Sequence, residues 1–338
     1  MKELLSWIVK YDEMKRMAAL QQDLKEKSSE ERADIAEKGV LNEVCEILKR
    51  IRDGEDGISG VIDPACFVIT LIFEGNPHLI PEALKDNGIV DLLISHIDSS
   101  VNECIDNQIE SLYIIVKESL YDELHQLFRK GVVKAMSKQL DNDDPKTILK
   151  LSEIILLIIQ SESNDIKDGQ QNDFKVEMER DGTLQKLIET FQRPEAPRDF
   201  KDNIALSIAF LFKSQPLPSE CISAIIDYLK GLIQRTEKIT SCRALTSLAG
   251  LAECELNHTQ LLDKEFAKEI IQHFKVQKPK LTCLKALQLT ISIVKHGQSD
   301  TKVAFRTILS ITLLRQLSFN QNKEISLAAK ELHKLISK

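Results

Sequence analysis

The sequence predicts an all-α protein built from a stacked helical repeat, and three observations carry that reading. Glycine and proline are scarce, 12 and 9 of 338 residues, about half of average usage, so long helices joined by few tight turns are favoured. Apolar residues recur at helical spacing, while sustained two-residue alternation bounded by turn residues is missing. One polar-Gly-amphipathic segment returns four times, and such recurrence marks a stacked array. Composition narrows the alternatives. At 43% hydrophobic and 29% charged the chain can bury a core, unlike a disordered one. No window holds 18 uninterrupted apolar residues, so no membrane span is expected. The start, Met1-Lys-Glu-Leu-Leu-Ser-Trp7, brings acid early and has no long apolar stretch, which is not the pattern of a secretory signal.

Taken in order, the run from Lys2 to about Lys27 reads as one helix. Its stripe of Leu4, Leu5, Ile8, Tyr11, Met14, Met17 and Leu24 suits a cap over the open end of the first repeat. The recurring segments begin Glu37-Lys-Gly-Val-Leu, Asp86-Asn-Gly-Ile-Val, Arg129-Lys-Gly-Val-Val and Arg180-Asp-Gly-Thr-Leu. In each, the glycine (Gly39, Gly88, Gly131, Gly182) is expected to end one helix in the left-handed conformation before an amphipathic helix starts. The glycines are 49, 43 and 51 residues apart. An apolar helix follows each segment, and its last landmarks, Phe73, Val116 and Ile159, are again 43 apart. The longer intervals are insertions, one around Arg52–Ser59 and one from Ser161 to Gln171, both of polar loop chemistry.

Beyond residue 200 the apolar helices continue from about Asn203, Arg243, Leu284 and Ile325, spaced by about 41 residues. Prolines at Arg193-Pro-Glu-Ala-Pro, Gln215-Pro-Leu-Pro and Gln277-Lys-Pro mark the junctions, since proline stops one helix and can open the next. Charge is uneven. Residues 1–199 carry 25 Lys+Arg against 40 Asp+Glu, a net of −15, and residues 200–338 carry 20 against 12, a net of +8. That asymmetry steers charged partners. Aromatics are 5% of the chain, too few for base-stacking platforms, so no nucleic-acid partner is expected.

A period of 41–43 residues, with Gly-Val/Ile-hydrophobic-x-x-Leu followed by a polar loop and an apolar helix, resembles the armadillo repeat, with the HEAT repeat as near relative. The resemblance implies a right-handed α-solenoid of about seven armadillo-like repeats with an N-terminal capping helix. Its divisions would be the cap at 1–29, well-defined repeats at 30–199 and degenerate armadillo/HEAT-like repeats at 200–338, in one continuous solenoid. It further implies that third helices line a concave groove. In the 43-residue register the groove positions are Phe67, Glu110 and Glu153, then Leu71, Ile114 and Leu157, then Glu74, Lys117 and Gln160. The asparagine ladder with which the family's nuclear-import receptors clamp a peptide backbone is absent, and Trp7 lies outside these positions. The groove mixes apolar and acidic residues instead, which suits an amphipathic segment with basic flanks.

The function expected is therefore a non-enzymatic protein-interaction scaffold or adaptor, cytoplasmic with a nuclear location not excluded, its oligomeric state unspecified. Two alternatives share the fold. Armadillo-like nucleotide-exchange factors of the cytosolic seventy-kilodalton heat-shock protein also begin Met-x-x-Leu-Leu-x-Trp, and regulators of small GTPases use similar arrays. Catalysis is not expected. Glycine-rich phosphate loops and His-x-x-x-His zinc helices are missing. The seven histidines are isolated and read as surface residues, and Cys254 with His258 lacks a second ligand pair. Asp141-Asn-Asp-Asp-Pro lacks the glycine and terminal glutamate of a calcium loop and reads as a turn whose aspartate caps the next helix. The seven scattered cysteines, without a C-x-x-C pair, read as free thiols. No cofactor or metal is implied.

Overall fold

The period read from the glycines returns as hydrogen bonds between residues one repeat apart. The computed structural model describes residues 2–55, 58–99, 105–165, 170, 172–274 and 280–337, with the side chains of 2–10, 59, 164, 165, 264, 299, 300 and 302 left aside. After α1 (Lys2–Lys25) the helices come in sets: a short first helix, an amphipathic second and an apolar third. They are α2 (Ser29–Ile35), α3 (Leu41–Arg52) and α4 (Ile62–Phe73), then α5 (Ile80–Ala83), α6 (Ile89–Ser99) and α7 (Asp106–Glu118). Next come α8 (Tyr121–Arg129), α9 (Val132–Lys138) and α10 (Pro145–Asp165), then α11 (Asp173–Asp181), α12 (Thr183–Phe191) and α13 (Arg198–Leu211). The fifth set has only α14 (Ile222–Ile233) and α15 (Lys238–Leu251). The last two are α16 (His258–Leu261), α17 (Lys264–Gln272) and α18 (Lys280–His296), and α19 (Ser299–Ile308), α20 (Ile311–Ser318) and α21 (Lys323–Ser337). Among the described residues no strand occurs, and the fold is an all-α solenoid with an armadillo-like three-helix repeat.

The chain divides into two compact units, residues 1–161 and 162–338. In the first, α1 packs on α4 and α4 on α7, while α3 packs on α6 and α6 on α9, so second helices stack on second helices and third on third. Polar bonds fix the step. Lys130 Nζ lies 2.9 Å from both oxygens of Asp91, and Lys138 Nζ 2.9 Å from both of Asp98. Thr70 and Ser111 hydroxyls meet at 3.3 Å. Each of these pairs spans about one period. The landmarks Phe73, Val116 and Ile159 are buried, and each such side chain contributes roughly 1.5–3 kcal/mol through the area it removes from water.

In the second unit α13 packs on α15, α15 on α18 and α18 on α21. Asn257 Oδ1 accepts from Leu217 N at 3.1 Å, and its Nδ2 donates to Gln215 O at 2.9 Å. This holds the irregular segment after α13 in place of the missing first helix; two prolines, Pro216 and Pro218, forbid a helix there. Asp202 is buried beneath Arg235, with Tyr228 donating to it at 2.7 Å. A buried charge with that many donors is compensated rather than stranded.

Several expectations are revised. Gly39, Gly131 and Gly182 do adopt positive φ (111°, 86° and 82°), but at the second repeat Asn87 takes that role with φ 54°. Gly88 is required for space instead, since a Cβ there would stand 2.6 Å from the Lys85 carbonyl oxygen. The insertion after Ser161 begins later than read, because α10 continues to Asp165; no glycine or proline intervenes and Ser161 Oγ bonds back to Ile158 O at 2.7 Å. His258 and His273 are buried rather than superficial. The His258 ring lies 2.6 Å from the Ala252 carbonyl, where it closes the end of α15. In the α1 stripe Met17 and Leu24 are buried, whereas Tyr11 and Met14 are about two-fifths exposed; Leu4, Leu5, Ile8 and Trp7 lie among the side chains not described, and Cys104 lies outside the described residues.

The turn reading of Asp141–Pro145 matches the structure: Asp144 accepts from Thr147 N at 2.7 Å. The Thr147 hydrogen bonds, first from its backbone and then its hydroxyl, hold the Asp144 carboxyl below the usual range. Gly131 has open space around its would-be Cβ, so Gly131→Ala is expected to cost only the left-handed backbone term, about 1–2 kcal/mol. Urea unfolding of the two proteins checks this, with an unchanged slope.

Candidate partner-binding face

The expected groove positions fall on α4, α7 and α10, within the first unit. α4 is covered by α1, α7 and its own second helix α3, and α7 by α4 and α6. One narrow arc remains free. On α4 it carries Asp63, Phe67, Leu71 and Glu74; Phe67 is 40% exposed, Leu71 half-buried and Glu74 exposed. On α7 it carries Asp106, Glu110, Tyr113 and Lys117, with Glu110 half-buried and Lys117 exposed. On α10 it carries Lys146, Lys150, Glu153, Leu157 and Gln160, the last four half-buried.

Hydrogen bonds bring these arcs together. Asn107 Nδ2 donates to Asp63 at 2.9 Å. The Ser111 hydroxyl stands 2.9 Å from both the Cys66 and Asn107 carbonyl oxygens and can donate to one at a time. Thr147 donates to Asp106, and Lys150 pairs with Glu110. Arg32 reaches from α2 to the Leu71 carbonyl at 3.2 Å and to Glu74 at 3.3 Å, fixing the C-terminal end of the α4 arc. Glu153 has no ion-pair partner among the described residues. Burial pushes the adjacent Cys66 thiol up to about 12, so it stays protonated as a core side chain.

Ile114 departs from the expectation. It is only 7% exposed, whereas Tyr113 is half-buried. One residue is 100° of helix rotation, and an apolar helix buried on several sides does not reveal its phase to within that angle. Tyr113, Thr70 and Lys150 went unread in the sequence; Lys150 follows Glu110 by 40 residues, a one-period charge pair that could have flagged it.

Chemically the arc mixes apolar and charged groups. Large apolar groups alternate with Asp63, Glu74, Asp106, Glu110 and Glu153, against Lys117, Lys146 and Lys150. Among the described residues no group of three His, Cys, Asp or Glu is placed to hold a metal ion, and no helix is long and apolar enough to cross a membrane.

No family model matches the chain, and no curated protein does. Solved structures share its fold. An engineered protein superposes with a TM-score of 0.72 at 16% identity, covering 95% of this chain and 74% of the other. A second engineered protein gives 0.53 at 14% identity, covering 73% and 98%. A designed armadillo repeat protein gives 0.44 at 12% identity, covering 88% and 99%. The first two establish a common helical-repeat architecture and nothing beyond it.

The burial difference within the arc has a direct consequence. Ile114→Glu places a charge in the core and is expected to cost more than about 3 kcal/mol, while half-buried Leu157→Glu stays within about 1.5 kcal/mol. Thermal melts followed by circular dichroism separate the two.

Proposed function

We propose that this protein is a non-catalytic interaction scaffold that binds a partner segment along the arc of α4, α7 and α10. The observation that supports this reading most is Phe67: a phenylalanine 40% exposed on an otherwise buried helix, beside half-buried Leu71 and flanked by carboxylates one period apart. An exposed aromatic ringed by fixed polar groups is the usual make-up of an interface anchor. The occupant that complements it is an amphipathic helix with basic flanks, its apolar residues at i, i+3/i+4 and i+7 meeting Phe67, Leu71 and Leu157. The array is preformed, so binding avoids an ordering cost on its side. Nothing in the described residues or the comparisons bears on the exchange-factor and small-GTPase readings.

The test is fluorescence anisotropy with a labelled Leu-striped, Lys-flanked helical peptide and the full chain. Phe67→Ala is expected to weaken binding about tenfold or more, as for an anchor worth over 1 kcal/mol. Glu153→Lys is expected to weaken it and flatten its salt dependence, because the unpaired carboxylate supplies long-range attraction that salt screens. Affinity unmoved by both substitutions would remove the arc as the site.

A further inference from the structure

Opposite charges on neighbouring helices of this protein normally close into ion pairs. Lys150 meets Glu110, Lys130 meets Asp91, Lys138 meets Asp98, and Lys230 meets Asp263. The last two third helices break that habit. Lys285 on α18, and Glu324 and Glu331 on α21, line one open groove of about 580 Å³, yet none of the three has an ion-pair partner among the described residues. The groove floor is apolar: Leu281, Leu284, Ile291 and Leu327 line it, and Leu281 and Leu327 are each 55% exposed.

The burial pattern explains why the floor is open. In α18, Ala286, Leu289, Thr290 and Ile293 are buried, and α21 packs against that helix. On α21 itself Leu327, Lys330, Glu331 and Lys334 are exposed. The lining positions of α18, residues 281, 284, 285, 288, 291, 292, 295 and 296, recur at the three- and four-residue steps of one helix face, the kind of face an amphipathic helix packs against.

We propose that the α18–α21 groove is a second binding site, which takes an amphipathic helix whose apolar stripe is flanked by acidic residues on one side and basic residues on the other. The stripe packs on Leu281, Leu284, Ile291 and Leu327. The acidic flank faces Lys285, and the basic flank faces Glu324 and Glu331. Because the two walls have opposite signs, a helix with flanks of one sign satisfies one wall and is repelled by the other, which costs affinity and enforces specificity. A helix with split flanks matches both walls in one direction only, so the site also fixes the polarity of its ligand. This occupant differs from that of the α4–α7–α10 arc, where carboxylates predominate, and the inference does not depend on that reading.

Three synthetic Leu-striped helical peptides test it against the full chain by fluorescence anisotropy: one with split flanks, one with Glu on both and one with Lys on both. The split peptide is expected to bind at least tenfold more tightly than either other to the Glu153→Lys/Phe67→Ala protein, in which the first arc is disabled. Lys285→Glu is expected to weaken the split peptide about tenfold and to strengthen the all-Lys peptide; Leu327→Ser is expected to weaken all three. Both positions are on the surface, so melting curves of the variants should overlay that of the parent. Equal binding of the three peptides, no binding at all, or a split-peptide affinity unmoved by Lys285→Glu would overturn the proposal.

Discussion

The structure depends on the stacking of apolar third helices one period apart. A single repeat cannot bury such a helix: α4 needs α1 on one side and α7 on the other, and α18 needs α15 and α21. Apolar burial supplies the free energy and the one-period polar contacts supply the register, because a shift by one residue would break Asn107–Asp63 and Lys130–Asp91 together. The same requirement explains the composition, with runs such as Tyr113–Val116 in α7 and Ile154–Ile159 in α10 made of apolar side chains.

Much of this was legible in the sequence. The Gly-led segments placed α3, α6, α9 and α12, and the Phe73–Val116–Ile159 spacing placed three third helices, because a repeat writes the same physical problem several times. Local chemistry substituted freely where two solutions exist: Asn87 carries the left-handed residue that Gly88 was expected to carry, since asparagine tolerates that conformation. Helix phase was the limit. Phe67, Glu110 and Glu153 are on the accessible arc as read, and Ile114 is not, because polar residues of α7 such as Gln108 and Ser111 are buried and so blur which face is exposed. The α18–α21 groove was missed for a related reason. Leu327 stands beside buried Ala328 and Ala329 in an apolar run, so residue type does not mark its 55% exposure.

The two candidate surfaces divide along charge. In the first unit the arc's carboxylates are partly spent inside the fold, Glu110 on Lys150 and Glu74 on Arg32, while Glu153 has no ion-pair partner among the described residues. In the second unit Lys285, Glu324 and Glu331 are all uncommitted and face across an apolar floor. Helical repeats suit such a division, since each surface is built by neighbouring repeats alone and can vary without disturbing the rest.

The most direct test of this account is amide hydrogen exchange on the full chain with and without the Lys-flanked helical peptide. The account predicts new protection in the first unit along residues 62–74, 106–118 and 145–161, with Phe67 and Glu153 substitutions abolishing it. Protection confined to the second helices α3, α6 and α9, or absent at saturating peptide, would contradict the central claim that the third helices present the binding face.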